Sequence, residues 1–143
     1  TSAFWGALTV GRLLSIPIAQ KFRPRTVLLV DLLGCIAFIT VPMIWSGSRL
    51  AIWLGAVGVG LFMASVFPTA ILLAGRRLTI TGFVTSLFFV GSSAGGMLTP
   101  LLIGQLFEGE GPQVTMVVIL AALVLDLGVF ALLALRYPAA QQE

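Results

Sequence analysis

Five apolar runs, each long enough to cross a bilayer as a helix, are joined in this chain by connectors of only four to six residues. About 20 consecutive apolar residues span the hydrocarbon core as a helix. The runs occupy residues 1–19, 26–45, 50–75, 82–107 and 113–135, with connectors 20–25, 46–49, 76–81 and 108–112 and a tail at 136–143. A transmembrane β-barrel would need segments of about ten residues with alternating polarity, and these runs are continuous. The fold class that follows is an all-α membrane protein with five transmembrane helices. Links this short predict that consecutive helices lie antiparallel and side by side.

Composition closes the soluble alternatives. Hydrophobic residues fill 59% of the 143 positions and charged residues 9%, where a soluble domain carries about 25% charged residues. The mean hydropathy is +1.12. A pI of about 10.0 would suit nucleic acid, but the cations sit in the short connectors, where the positive-inside rule accounts for them. No nucleic-acid partner is expected; the lipid bilayer is. The chain has no histidine and one cysteine, Cys35, which removes an internal disulfide and most zinc sites. No metal centre is expected. The chain opens on Thr1 inside an apolar run, with neither a basic leader nor a small-residue cleavage site, and is expected to be a piece of a longer one.

Alternating the connectors between two sides separates charge. One side collects Lys21, Arg23, Arg25, Arg76, Arg77 and Arg136; the other holds Arg49 with Glu108 and Glu110. The first side is therefore expected in the cytoplasm, and the tail 136–143 with it.

Small residues crowd the third and fourth runs. Ala56, Gly60 and Ala64 recur every four residues, which places them on one helical face and admits a close neighbour. The fourth run holds Gly91-Ser92-Ser93-Ala94-Gly95-Gly96. Pro68 and Pro100 each remove a backbone donor and loosen a helix that must bend.

Gly11-Arg12-Leu13-Leu14-Ser15, followed by Gln20-Lys21-Phe22-Arg23-Pro24-Arg25, resembles the major facilitator superfamily, which repeats a glycine-and-cation signature between its second and third helices and again between its eighth and ninth. Gly60-Leu61-Phe62-Met63-Ala64-Ser65-Val66-Phe67-Pro68-Thr69 resembles the tenth helix of the fucose–proton symporter branch, and residues 91–104 resemble its eleventh. Phe4-Trp5-Gly6 with Gly11–Ile18 is similar to the sodium-dependent glucose transporter 1-like members. The resemblance implies helices eight to twelve of a twelve-helix fold, the C-terminal half of a carrier whose N-terminal half is its partner. Where many members carry an acidic–basic pair in the connector, this chain has Gln20-Lys21.

The resemblance further implies transport of a small solute, a hexose among the candidates, by alternating access in the plasma membrane. It implies no cofactor, with a sodium ion or proton as co-substrate. The cavity-lining helices would be the first, third and fourth runs, where Trp5, Thr9, Ser65, Thr69, Ser92, Ser93, Thr99 and Gln105 offer the aromatic, hydroxyl and amide groups that sugar sites combine. For the hydroxyls the bland alternative is a bond to their own helix, while Trp45 and Trp53 read as interfacial markers.

Arg12, Asp31 and Asp126 fall inside the spans, where a charge at the bilayer centre costs about 2.5–3.5 kcal/mol. At 1.5 Å per residue, Arg12 lies about 10 Å and Asp31 about 8 Å from the cytoplasmic face, so they are level. An Arg12–Asp31 ion pair, acting as packing or gate, is the expectation. Asp126, roughly 13 Å deep, is the alternative partner for Arg12 and a candidate coupling residue.

An aspartyl enzyme built on Asp31 and Asp126 would need the two at one depth, and they differ; no enzyme is expected. A non-transporting or truncated scaffold of the same fold is the alternative function, because alternating access takes two halves around one site.

Overall fold

The computed structural model describes residues 2–76, 78–111 and 113–136; Thr1, Arg77, Pro112 and the tail 137–143, which carry part of the expected first span and basic side, lie outside them. Five helices follow one another: α1 Ser2–Lys21, α2 Pro24–Ile44, α3 Arg49–Gly75, α4 Gly82–Glu110 and α5 Gln113–Arg136. All five are long and apolar enough to cross a membrane.

Their ends follow local chemistry. The expected six-residue basic connector shrinks to Phe22 and Arg23, because α1 runs on through Lys21 and α2 begins at Pro24. A cation in the last turn suits the exposed carbonyls there, and proline fits a first turn whose N–H has no helical partner. Ser48 caps α3 by accepting from the Ala51 N–H at 3.4 Å, and Thr81 caps α4 by accepting from the Val84 N–H at 3.4 Å. After α4 the chain reverses at Gly111, whose φ of +76° is a left-handed conformation that a side chain would strain.

The spatial order of the helices is α1, α3, α2, α5, α4. Consecutive helices pack side by side in the α2–α3 and α4–α5 pairs, as the short links predicted. The expectation fails for α1–α2 and α3–α4, which barely meet. The reason lies in α3, which carries two small-residue faces on opposite sides. At about 100° per residue, Ala56, Gly60 and Ala64 share one side, while Gly55, Gly58, Phe62, Ser65 and Thr69 share the other. The first side receives α1 and the second receives α2. Residue numbers rise together where α1 meets α3: Phe4 and Ala7 meet Gly60, and Gly11 meets Leu61 and Ala64. These two helices therefore run parallel, as two spans separated by one return must.

The core is a seam through α2. Leu28, Leu32, Cys35 and Ile39 of α2 pack with Val59 of α3 and with Leu123 and Phe130 of α5. No residue of α4 among those described is buried.

Candidate functional site

Two arrangements of polar groups emerge from this packing: a closed one between α2 and α3, and an open one on α1 and α4.

The closed one depends on how tightly α3 is held. On its α1 side, a Cβ added to Gly11 would lie 2.6 Å from the Leu61 carbonyl oxygen and 2.7 Å from the Ala64 Cβ. A Cβ at Gly60 would lie 2.8 Å from the Phe4 carbonyl oxygen. Glycine is the residue that lets the two backbones approach this closely. The face expected at Ala56, Gly60 and Ala64 is thus a helix-packing face.

On the α2 side the fit is reciprocal. Phe38 of α2 covers Gly58 of α3, Phe62 of α3 covers Gly34 of α2, and Pro42 covers Gly55. The two rings stack with centroids 5.7 Å apart and planes 29° from parallel. One turn below Phe38, the Cys35 thiol reaches towards the Val59 carbonyl at 3.9 Å, a weak sulfur contact. Another turn below, the Ser65 hydroxyl donates to a carboxylate oxygen of Asp31 at 2.5 Å. Asp31 and Ser65 are each 7% exposed, and Thr69, one turn further along the same face of α3, is 5% exposed.

The expected Arg12–Asp31 ion pair is not formed. Asp31 is buried against α3, while Arg12 is exposed on α1. The two sit at one level along α3, since Gly11 meets Ala64 and Asp31 meets Ser65, but α3 stands between their helices. Arg12 also follows Gly11, which faces α3, so a rotation of about 100° carries its side chain off that contact. Asp126 is exposed on α5. Ser65 and Thr69, expected among the solute contacts, are both buried, Ser65 against Asp31 of α2. Ser65 as the partner of Asp31 was missed by reading the sequence. The signal was present: both lie at similar distances from the connector between the second and third runs, on antiparallel helices.

The open arrangement uses the remaining candidates. Trp5, Thr9 and Arg12 fall at i, i+4 and i+7, one stripe of α1 opposite Ala7 and Gly11, and all three are exposed. The Thr9 hydroxyl donates to the Trp5 carbonyl at 2.9 Å, so its lone pairs stay free to accept. On α4, Ser92, Ser93 and Gln105 are exposed and Thr99 is half-buried. Ser92 and Thr99 share one helical face, with Gly95 and Gly96 beside it, and Gln105 points away from it. Nothing lies within 4 Å of a Cβ built at Gly91, Gly95, Gly96 or Gly104. Membrane-length helices with polar, sterically open faces can line a path for a polar solute. Among the described residues no group of histidine, cysteine and acidic side chains could hold a metal by the usual ligands.

No protein-family model matches the chain, and no solved structure does. Curated relatives do match. The chain is 33% identical to the major facilitator superfamily domain-containing protein 4A of Homo sapiens over 110 residues, which are 77% of this chain and 21% of that protein. It is 33% identical to the 4B protein of Danio rerio over 108 residues, 76% of this chain and 20% of that one. It is 34% identical to the sodium-dependent glucose transporter 1 of Xenopus laevis over 112 residues, 78% of this chain and 23% of that protein. The matched part thus spans about a fifth of each relative's length. Five membrane-length helices and these identities agree: the chain belongs to the major facilitator superfamily.

Proposed function

We propose that this chain is the C-terminal part of a carrier that moves a hexose-like solute by alternating access, with sodium or proton as the coupling ion. The observation that carries the reading is the open polar stripe of Trp5, Thr9 and Arg12 on α1. An aromatic face beside hydroxyl and guanidinium groups is the mixture by which proteins hold sugars. Ser92 and Thr99 on α4 add hydroxyls on a second open helix. Similarity to a protein named sodium-dependent glucose transporter 1 supports both the solute class and the choice of sodium.

In this reading the exposed faces of α1 and α4 meet an N-terminal half of the same transporter, and the solute passes between the halves. Lys21, Arg23, Arg25, Arg76 and Arg77 hold their connectors in the cytoplasm of a plasma-membrane protein. Coupling requires a charged group inside the membrane whose surroundings change with the ion. Asp31 meets that need better than Asp126, because it is buried between two helices whose packing an ion would alter.

Uptake of labelled hexoses by the protein expressed at its natural length, with sodium, with choline and across an imposed proton gradient, tests this. Saturable uptake that rises with either ion gradient is the expected result. Absence of uptake for every hexose, with the protein at the cell surface, would reject the solute class.

A further inference from the structure

We infer that Asp31, Ser65 and Thr69 form a binding site for a small monovalent metal cation of the sodium class. The inference rests on the coupled-transport reading above and assigns the ion a place.

The Asp31 carboxylate and the Ser65 hydroxyl already converge at 2.5 Å. Thr69 is buried one turn away on the same face of α3. All three side chains present oxygen, and hard cations take oxygen ligands. A carboxylate and two hydroxyls thus lie within about one turn of α3 and the facing turn of α2.

Charge makes the same demand. The partner of Asp31 is a neutral hydroxyl, and the level cation, Arg12, lies on the far side of α3 from α2. A carboxylate kept ionised in hydrocarbon needs a countercharge. A single positive charge balances it. A divalent ion would leave one charge uncompensated, which selects the monovalent class. To bind, the ion takes lone pairs from Ser65 and Asp31, and the Ser65 proton turns away from the carboxylate. The contact that now closes α2 on α3 becomes an ion-bridged one. Occupancy would thereby be felt by α1 as well, since Gly11 rests against Ala64.

The experiment is equilibrium binding of radioactive sodium to the purified protein at its natural length, in detergent, with unlabelled sodium as competitor and potassium as control. Saturable, competed binding is expected. Asp31→Asn should weaken it at least tenfold, and Ser65→Ala and Thr69→Val severalfold each, while Asp126→Asn leaves it unchanged. Monodisperse elution confirms folding for every variant. Should Asp31→Asn not fold, the two hydroxyl variants decide the matter. No sodium binding by the wild type overturns the site, as does binding that Asp31→Asn, or both hydroxyl variants, leave intact. Sodium binding lost in these variants, in a protein that moves no hexose, keeps the site and rejects only the solute class. Hexose uptake indifferent to sodium, with no sodium bound, rejects the site alone.

Discussion

Gly11 of α1 lies against Ala64 of α3 so closely that a methyl group at Gly11 would come within 2.7 Å of the Ala64 Cβ, with the Leu61 carbonyl oxygen nearer still at 2.6 Å. Both obstacles are part of the facing helix's main chain or its first side-chain atom, so neither can swing aside. The relationship fixes how deep α1 sits and how its polar stripe is turned.

Gly11→Ala should therefore destabilise the protein by about 1–3 kcal/mol, the usual cost of overpacking. Gly6→Ala, on the same helix with nothing within 4 Å of its added methyl, should be close to neutral. Thermal melting followed by tryptophan fluorescence or by size-exclusion elution checks the contrast. Equal melting of the two variants would contradict the close α1–α3 packing.

Phe38 and Gly58 should behave as one unit. Gly58→Ala drives a methyl into the Phe38 ring, and Phe38→Ala empties the space over Gly58. Phe38 is half-buried, so its truncation should cost less than the about 3–5 kcal/mol of a fully buried phenylalanine. The double variant should be less destabilised than the sum of the two, by about 0.5–3 kcal/mol of interaction energy. Strict additivity in melting would mean that ring and glycine do not meet.

Asp31 should couple to Ser65 and not to Arg12. Hydrogen bonds between membrane helices average about 0.6 kcal/mol and reach about 1.7 kcal/mol, and a coupling of that order is expected between Asp31→Asn and Ser65→Ala. The cycle of Asp31→Asn with Arg12→Gln should be additive within about 0.5 kcal/mol. Coupling in the second cycle and not in the first would restore the ion pair.

Trp5→Ala and Thr9→Val should leave melting nearly unchanged, since both positions are exposed. Each should raise the KM for the transported hexose, with Trp5→Ala raising it roughly tenfold, equal to about 1.4 kcal/mol. A fall in maximal rate with KM unchanged would remove them from the solute path.

Much of this molecule was legible in its sequence. Run length and composition gave five membrane helices, because a helix must satisfy its own backbone in lipid and about 20 apolar residues do so across the core. The four-residue spacing of Ala56, Gly60 and Ala64 foretold a close helix contact, since that periodicity keeps small residues on one face. Rise per residue put Arg12 and Asp31 at one level. Only the tertiary structure decided which helix met which face. Spacing along a chain sets depth, whereas rotation about each axis and order across the membrane depend on side chains that interlock at a distance. Phe38 over Gly58, Phe62 over Gly34 and Gly11 against Ala64 place α3 between α1 and α2. With α3 there, Asp31 turns to Ser65, and Arg12 faces outward.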